Sequence, residues 1–279
     1  MINIGFYNKL KVGKKVDFGY YLEDSEGDRV LLPNSNAKDK DIKEGETLEV
    51  FVYRDSKDRL ICTLKKPLIT VGELGYLEVV SQSSIGAFVN MGLERDLFVP
   101  LREQIYKIKT GKKYLFYMYV DKTNRLAATT NVHDYLDIAE EGKYKVDDDV
   151  KVIIYDTAEN GTLKVAVDRE YIGLILANEH LEYIQPGKEI EARIKRVYED
   201  GILGISTRKK RLEARDELSE RIIQYLRENG GYMAYNDKSS PEDIRKEFNT
   251  SKNYFKMTLG GLMKANLITQ DKEGTKLIK

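Results

Sequence analysis

The sequence of 279 residues predicts a multidomain, mostly β chain: three tandem five-stranded barrels followed by one small α+β domain. Three observations lead there. One pattern of glycines and alternating apolar residues occurs three times. Each occurrence holds about five short strands divided by turn residues. Near residue 211 the hydrophobic period changes from two to that of a helix.

The repeat is most visible before each fourth strand. Ile42-Lys43-Glu44-Gly45 recurs as Ile108-Lys109-Thr110-Gly111 and as Ile184-Gln185-Pro186-Gly187. An alternating strand follows each: Leu48, Val50, Val52; then Tyr114, Phe116, Met118; then Ile190, Ala192, Ile194. Alternation places these side chains on one buried face, so Tyr114 and Phe116 read as core. Asp55-Ser56-Lys57-Asp58-Arg59-Leu60-Ile61-Cys62-Thr63 then matches Asp121-Lys122-Thr123-Asn124-Arg125-Leu126-Ala127-Ala128-Thr129 position by position. The third copy turns at Glu199-Asp200-Gly201 and ends its strand at Ile205-Ser206-Thr207. Upstream, Phe18-Gly19-Tyr20-Tyr21-Leu22 aligns with Ile85-Gly86-Ala87-Phe88-Val89 at an offset that holds through Pro33 and Pro100.

A five-stranded Greek-key barrel of this length is an OB-fold; an immunoglobulin-like sandwich would need more strands per copy. The first barrel is expected over residues 1–66, closed by Lys65-Lys66-Pro67 because proline cannot donate to a continuing ladder. The second is expected over 67–132, a linker with a short helix over 133–143, and the third barrel over 144–208. Asp147-Asp148-Asp149, flanked by lysines and with no histidine nearby, reads as solvated chain and not as a metal site.

Residues 209–279 have helical spacing. Leu218, Ile222, Ile223 and Leu226 form one apolar face. Ser240-Pro241-Glu242-Asp243 is an N-cap with proline at the first helical position and acids in the first turn. The second helix runs through Ile244 and Phe248. Thr250-Ser251 restarts a third helix carrying Tyr254, Phe255, Leu259, Leu262, Met263 and Leu267, and two short strands around Gly274 end the chain. Helix, helix–turn–helix and β-hairpin make a winged helix, in which the helix after the turn is the one offered to a nucleic-acid groove. Lys252, Asn253, Lys256 and Lys264 would be exposed there. Such a domain also serves to dock protein, and Asp216, Glu217, Glu220 and Glu228 dilute its positive field.

Composition narrows the function. Charged residues make up 33% of the chain and balance to zero net charge, so any phosphate-binding face must be local. The lone cysteine, Cys62, excludes an internal disulfide and fits a reducing compartment; its alternating neighbours make it a small buried residue. The first residues lack the charged-then-apolar pattern of a signal peptide, and no apolar run reaches the roughly 18 residues of a membrane helix. A cytoplasmic chain without membrane contact is expected, as a monomer. His133 and His180 have no serine or cysteine partner at a meaningful spacing, and there is no P-loop, dinucleotide-binding glycine turn or metal-ligand spacing. No catalytic residue, metal or cofactor is therefore expected. Nineteen tyrosines and eight phenylalanines supply rings that could stack on bases.

Ile85-Gly86-Ala87-Phe88-Val89, followed by Leu97-Phe98-Val99-Pro100 and Arg125-Leu126-Ala127-Ala128-Thr129, resembles the S1 RNA-binding domain. Three such repeats and a winged helix resemble, over the whole chain, the bacterial conserved virulence factor B (YitL-like) family. The resemblance implies a cytoplasmic RNA binder connected with virulence-gene regulation. It also implies that Phe18 and Tyr21 in the first copy, and Phe88 with Phe98 in the second, contact bases, and that Arg59 and Arg125 contact phosphate. The histidine position of the pattern is Pro33, Pro100 and Leu176 here, and Ile85 replaces the first ring of the second copy. The third copy has Gly161-Thr162-Leu163-Lys164-Val165 where the rings should be. Lys252, Tyr254 and Lys256 are the candidate contacts of the winged helix, and Arg208-Lys209-Lys210-Arg211 is a basic run between modules.

Single-stranded RNA is thus the expected partner, with DNA or the ribosome as secondary contacts. Two other readings remain at this level: a winged-helix DNA-binding regulator whose barrels dock protein, and a ribosome- or ribonuclease-associated scaffold.

Overall fold

The computed structural model describes residues 1–37, 41–180, 184–208 and 211–278. The first barrel consists of β1 (Tyr7–Val16), β2 (Gly19–Glu23), β3 (Arg29–Pro33), β4 (Thr47–Arg54) and β5 (Leu60–Thr63). The second consists of β6 (Leu74–Ser83), β7 (Gly86–Val89), β8 (Leu97–Pro100), β9 (Lys113–Val120) and β10 (Leu126–Thr129). The third consists of β11 (Asp149–Thr157), β12 (Leu163–Val167), β13 (Tyr171–Ile175), β14 (Glu189–Val197) and β15 (Leu203–Ser206). All three close in one order, first-second-third-fifth-fourth, with every neighbour antiparallel except the parallel third and fifth strands. The long first strand of each barrel carries a register shift, between Val12 and Lys15, Val79 and Ser81, and Ile154 and Asp156. Such bulges bend a strand enough for it to serve both sides of a small barrel.

The repeated sequence signals have repeated physical causes. Gly45, Gly111 and Gly187 adopt φ of +86°, +75° and +88°, where a Cβ is strained. Each donates its amide at 2.8 Å to the first strand of its own barrel, at Val12, Val79 and Ile154. The matching turns before β5 and β10 are aspartate turns. Asp55 Oδ1 accepts from the amides of Lys57 and Arg59, and Asp121 Oδ1 from those of Thr123 and Arg125. Asp58 and Asn124 hold the positive-φ corner of each, a conformation that short polar side chains tolerate.

The first barrel is filled around Leu22, Leu32, Val50 and Cys62 and the third around Val152, Val165 and Ile205, but buried packing also crosses between barrels. Phe51, Tyr53 and Ile61 of the first barrel are buried in one cluster with Ile69, Met91, Phe116 and the interior of the second. A further cluster joins Leu115 and Val132 to Leu136, Ile153, Tyr155 and Ala166 across the second and third barrels. There Tyr76 donates its hydroxyl to the Gly187 carbonyl at 2.7 Å, and the rings of Tyr117 and Tyr135 stack 3.5 Å apart. Residues 1–207 form one compact unit in consequence. Cys62 is fully buried, and burial pushes its thiol up. Tyr114 and Phe116 are buried as expected.

The second unit begins at Arg208. It contains α1 (Arg211–Glu228), β16 (Tyr232–Met233), α2 (Pro241–Phe248), α3 (Lys252–Lys264), β17 (Ile268–Gln270) and β18 (Thr275–Leu277). Ser240 caps α2 by accepting from the Asp243 amide at 3.1 Å, and Ser251 caps α3 by accepting from that of Tyr254. Asn249 makes the left-handed turn between them. Leu218, Ile222, Leu226, Ile244, Phe248, Phe255, Leu259 and Leu262 form the core with Met233 and Ile268, while Met263 and Leu267 stay exposed. The order β16-β18-β17 adds to the expected hairpin a short strand that alternation over two residues could not reveal. No described helix is long and apolar enough to cross a membrane.

Candidate nucleic-acid interface

Strand register determines which side chains share the outside of each barrel. In the second barrel Phe88 pairs with Phe98, Phe98 with Ala127, and Ala127 with Tyr119, a row across β7, β8, β10 and β9. The rings of Phe88 and Phe98 lie 5.2 Å apart at 45°. Gly86 permits this, because a Cβ there would lie 2.7 Å from the Phe98 ring and 2.3 Å from the Val99 carbonyl. The row opens into a cleft of about 350 Å³ at the seam with the first barrel. Phe88, Phe98, Ile85, Met91, Leu97 and Leu126 give it an apolar floor, and Arg54, Arg95 and Arg125 give it cations.

The two equivalent aspartate turns meet at this seam. Arg125 Nη2 reaches Asp58 Oδ2 of the first barrel at 2.9 Å. Arg54 donates through Nε to the Asn124 carbonyl at 3.0 Å and through Nη1 to the Asp58 carbonyl at 2.7 Å. Arg95 Nη1 donates to the Asp55 carbonyl. The Arg125 guanidinium holds the Asp58 carboxyl below the usual carboxylate range. The arginines remain accessible: the Arg125 side chain is 60% exposed, so a phosphate can compete for its free N–H groups.

The first barrel presents the corresponding row Tyr21, Leu31, Ile61, Tyr53. Its β5 and β4 end lies under the second barrel, leaving Tyr21 half-buried and Phe18 exposed, their rings edge-on at 6.5 Å. Tyr53 lines the seam cleft, whereas Tyr21 and Phe18 are not among its residues. Arg59 pairs with Asp55 of its own turn at 2.6 Å and is not among the cleft residues. The structure therefore brings Phe88, Phe98 and Arg125 together and leaves Phe18 with Tyr21 as a second ring pair.

In the third barrel the row is Lys164, Leu174, Gly204, Arg196. Lys164 stands on the second strand and pairs with Asp156 at 2.8 Å. Gly204 occupies the place of Ile61 and Ala127, and Tyr198 lies over it: a Cβ on Gly204 would be 3.1 Å from the ring. The Arg196 guanidinium sits 5.7 Å from the Tyr198 ring centre. This ring and cation escaped sequence reasoning, because the ring moves from the second strand to the hairpin between fourth and fifth; Gly204 at a place held by larger residues was the available signal. Arg54 and Arg95 were missed too, since neither lies in a repeated motif.

In the winged helix Lys256, Asn253 and Lys264 are exposed. Lys252 is half-buried and donates Nζ to the Lys238 carbonyl at 3.3 Å, and Tyr254 packs against the core. Met257 and Met263 are exposed on the same helix. Of the basic run, Lys209 and Lys210 lie outside the described residues.

Comparison with known proteins fits this anatomy. Residues 4–65 match the S1 domain family and residues 220–277 the CvfB-like winged helix domain. A Bacillus subtilis (strain 168) protein named YitL, described as uncharacterized, is 33% identical over 270 residues, covering 94% of this chain and 89% of that one. Conserved virulence factor B of Staphylococcus haemolyticus is 29% identical over 259 residues, covering 89% and 86%. A crystal structure described as a multidomain protein with nucleic acid binding domains, from Streptococcus pneumoniae TIGR4, superposes with a TM-score of 0.54 at 27% identity, with 99% of each chain covered. Three closed barrels of one topology, a winged helix and these matches place the chain in the family of YitL and conserved virulence factor B.

Proposed function

We propose that the protein is a cytoplasmic single-stranded RNA-binding protein that regulates gene expression after transcription. The observation that carries this is the seam cleft, where the Phe88 and Phe98 rings lie within one cavity with three arginines. Rings stack on any base, and nearby cations hold the phosphates that join successive bases. Phe18 with Tyr21, and Tyr198 with Arg196, provide further ring surfaces on the same compact unit. Modest sites on one body raise avidity without a strong single contact. Lys252 and Lys256 of α3 add contacts to the backbone, with Tyr254 beside them. Bacterial relatives named for virulence supply the setting for such regulation. No step of this reading requires catalysis.

Fluorescence anisotropy with a labelled single-stranded RNA and a duplex DNA of matching sequence tests the proposal. RNA should bind more tightly, and its affinity should fall steeply with salt as arginine and lysine release counterions. Tight, salt-insensitive binding to the duplex would overturn it. The exposed Met257 and Met263 favour a second reading for the winged helix alone, as a protein-docking surface.

A further inference from the structure

The seam cleft also contains a carboxylate for which simple phosphate binding has no use. Three aspartates line it, Asp58, Asp96 and Asp121. Two are engaged. Asp58 pairs with Arg125 at 2.9 Å, and Asp121 accepts from the Thr123 amide and hydroxyl and from the Arg125 amide within its own turn. Asp96 immediately precedes β8, is half-buried, and makes no hydrogen bond or ion pair with any described residue. A free carboxylate in the cleft repels phosphate, so its presence there has to be understood through another part of the ligand.

An ionised carboxylate only accepts hydrogen bonds. It therefore suits a base whose edge carries donors. Guanine places N1–H and an N2–H side by side, a two-point match to the two carboxylate oxygens. Adenine and cytosine each offer one amino group. Uracil offers a single N3–H between two carbonyl oxygens, which the carboxylate repels. We infer that the seam cleft selects guanine, with the base against Phe88 and Phe98, its Watson–Crick edge on Asp96, and adjoining phosphates on Arg54 and Arg125. The inference rests on the proposed RNA function and extends it by naming the base and the residue that reads it.

The test uses the full chain and labelled oligouridylates of about twelve residues, unmodified or with a central guanine, adenine or cytosine. A good two-point contact to a base edge should make the guanine-containing RNA bind roughly tenfold more tightly than the all-uridine RNA. In Asp96→Ala that preference should fall below about twofold, with all-uridine binding unchanged or tighter because a repelling charge is gone. Asp96→Asn keeps the shape of the side chain and should lose the guanine preference as well, which guards against a folding defect in the alanine variant. Absence of a guanine preference in the wild type, or its survival in both variants, overturns the inference while leaving RNA binding intact. Failure to bind any of the four RNAs overturns the proposed function, and the inference with it.

Discussion

Phe88→Ala separates the role of the ring in binding from its role in folding. Phe88 lies on the outer face of β7, outside the buried cluster that fills the second barrel, and its ring packs against that of Phe98 at 5.2 Å. Losing that aromatic pair costs about 0.5–1.5 kcal/mol beyond the apolar area of the half-buried ring, which for a fully buried ring is worth roughly 1.5–3 kcal/mol; the sum stays below the roughly 5–15 kcal/mol of a typical folded domain. One stacked base, by contrast, is worth about 1–3 kcal/mol, so Kd for single-stranded RNA should rise between about fivefold and 150-fold. The substitution removes no charge, so the slope of log Kd against log salt should stay constant. Anisotropy titrations at three or four salt concentrations, with thermal unfolding of the same samples, measure both quantities. A variant that melts normally and binds within twofold of the wild type would show that bases do not stack in the cleft, and the proposed site would have to be abandoned.

Other perturbations reach the remaining parts of the interface. Asp58→Asn frees Arg125 from an exposed ion pair, so RNA should bind more tightly, by no more than about fivefold; weaker binding would mean that Asp58 matters mainly for seam geometry. Arg125 depresses the Asp58 carboxyl, so the pair's stabilisation is complete above the ordinary aspartate range and is lost only as pH falls through the lower folded-state value. The stability difference between wild type and Asp58→Asn should accordingly be flat from pH 5 to 8, about one to four units above the ordinary aspartate pKa, and shrink only in acid, as unfolding curves would record. Gly204→Val should displace the Tyr198 ring and, like Tyr198→Ala, weaken binding of RNAs long enough to reach the third barrel while sparing short ones; equal loss for short RNA would refute a separate contact there. Lys252→Ala with Lys256→Ala should weaken all RNAs alike and make the salt dependence shallower, whereas a loss confined to one duplex sequence would point to DNA reading by α3.

Repetition made the barrels legible. Three isoleucine-to-glycine motifs and two aspartate turns report local backbone geometry, which a short stretch of sequence determines by itself. The ring positions Phe88 and Phe98 came from the resemblance to the S1 pattern, and the structure turns Phe88 outward on a strand whose Ala87 and Val89 are buried. The seam was not legible, because Arg54, Arg95 and Asp58 acquire meaning only when one barrel docks on another, and that docking depends on shape. Residues at helical spacing identified the winged-helix core, but Met263 carries the same apolar signature and lies at the surface, and α3 ends at Lys264, short of the exposed Leu267 that was expected on it; spacing alone says neither which apolar residues are buried nor where the helix stops.

Phe51, Tyr53 and Ile61 belong by descent to the first repeat and by packing to the second. The array has therefore ceased to be modular. A tandem duplication begins as interchangeable beads, but once one bead's surface has become its neighbour's interior, neither can be deleted, reordered or transplanted alone. Excising the first barrel would strip two aromatic rings and an isoleucine from the second barrel's packing and expose apolar surface suited to aggregation. Drift in the two copies is coupled as well, since a volume change at Tyr53 has to be answered across the seam. The number and order of the barrels are in this sense inherited as a single character.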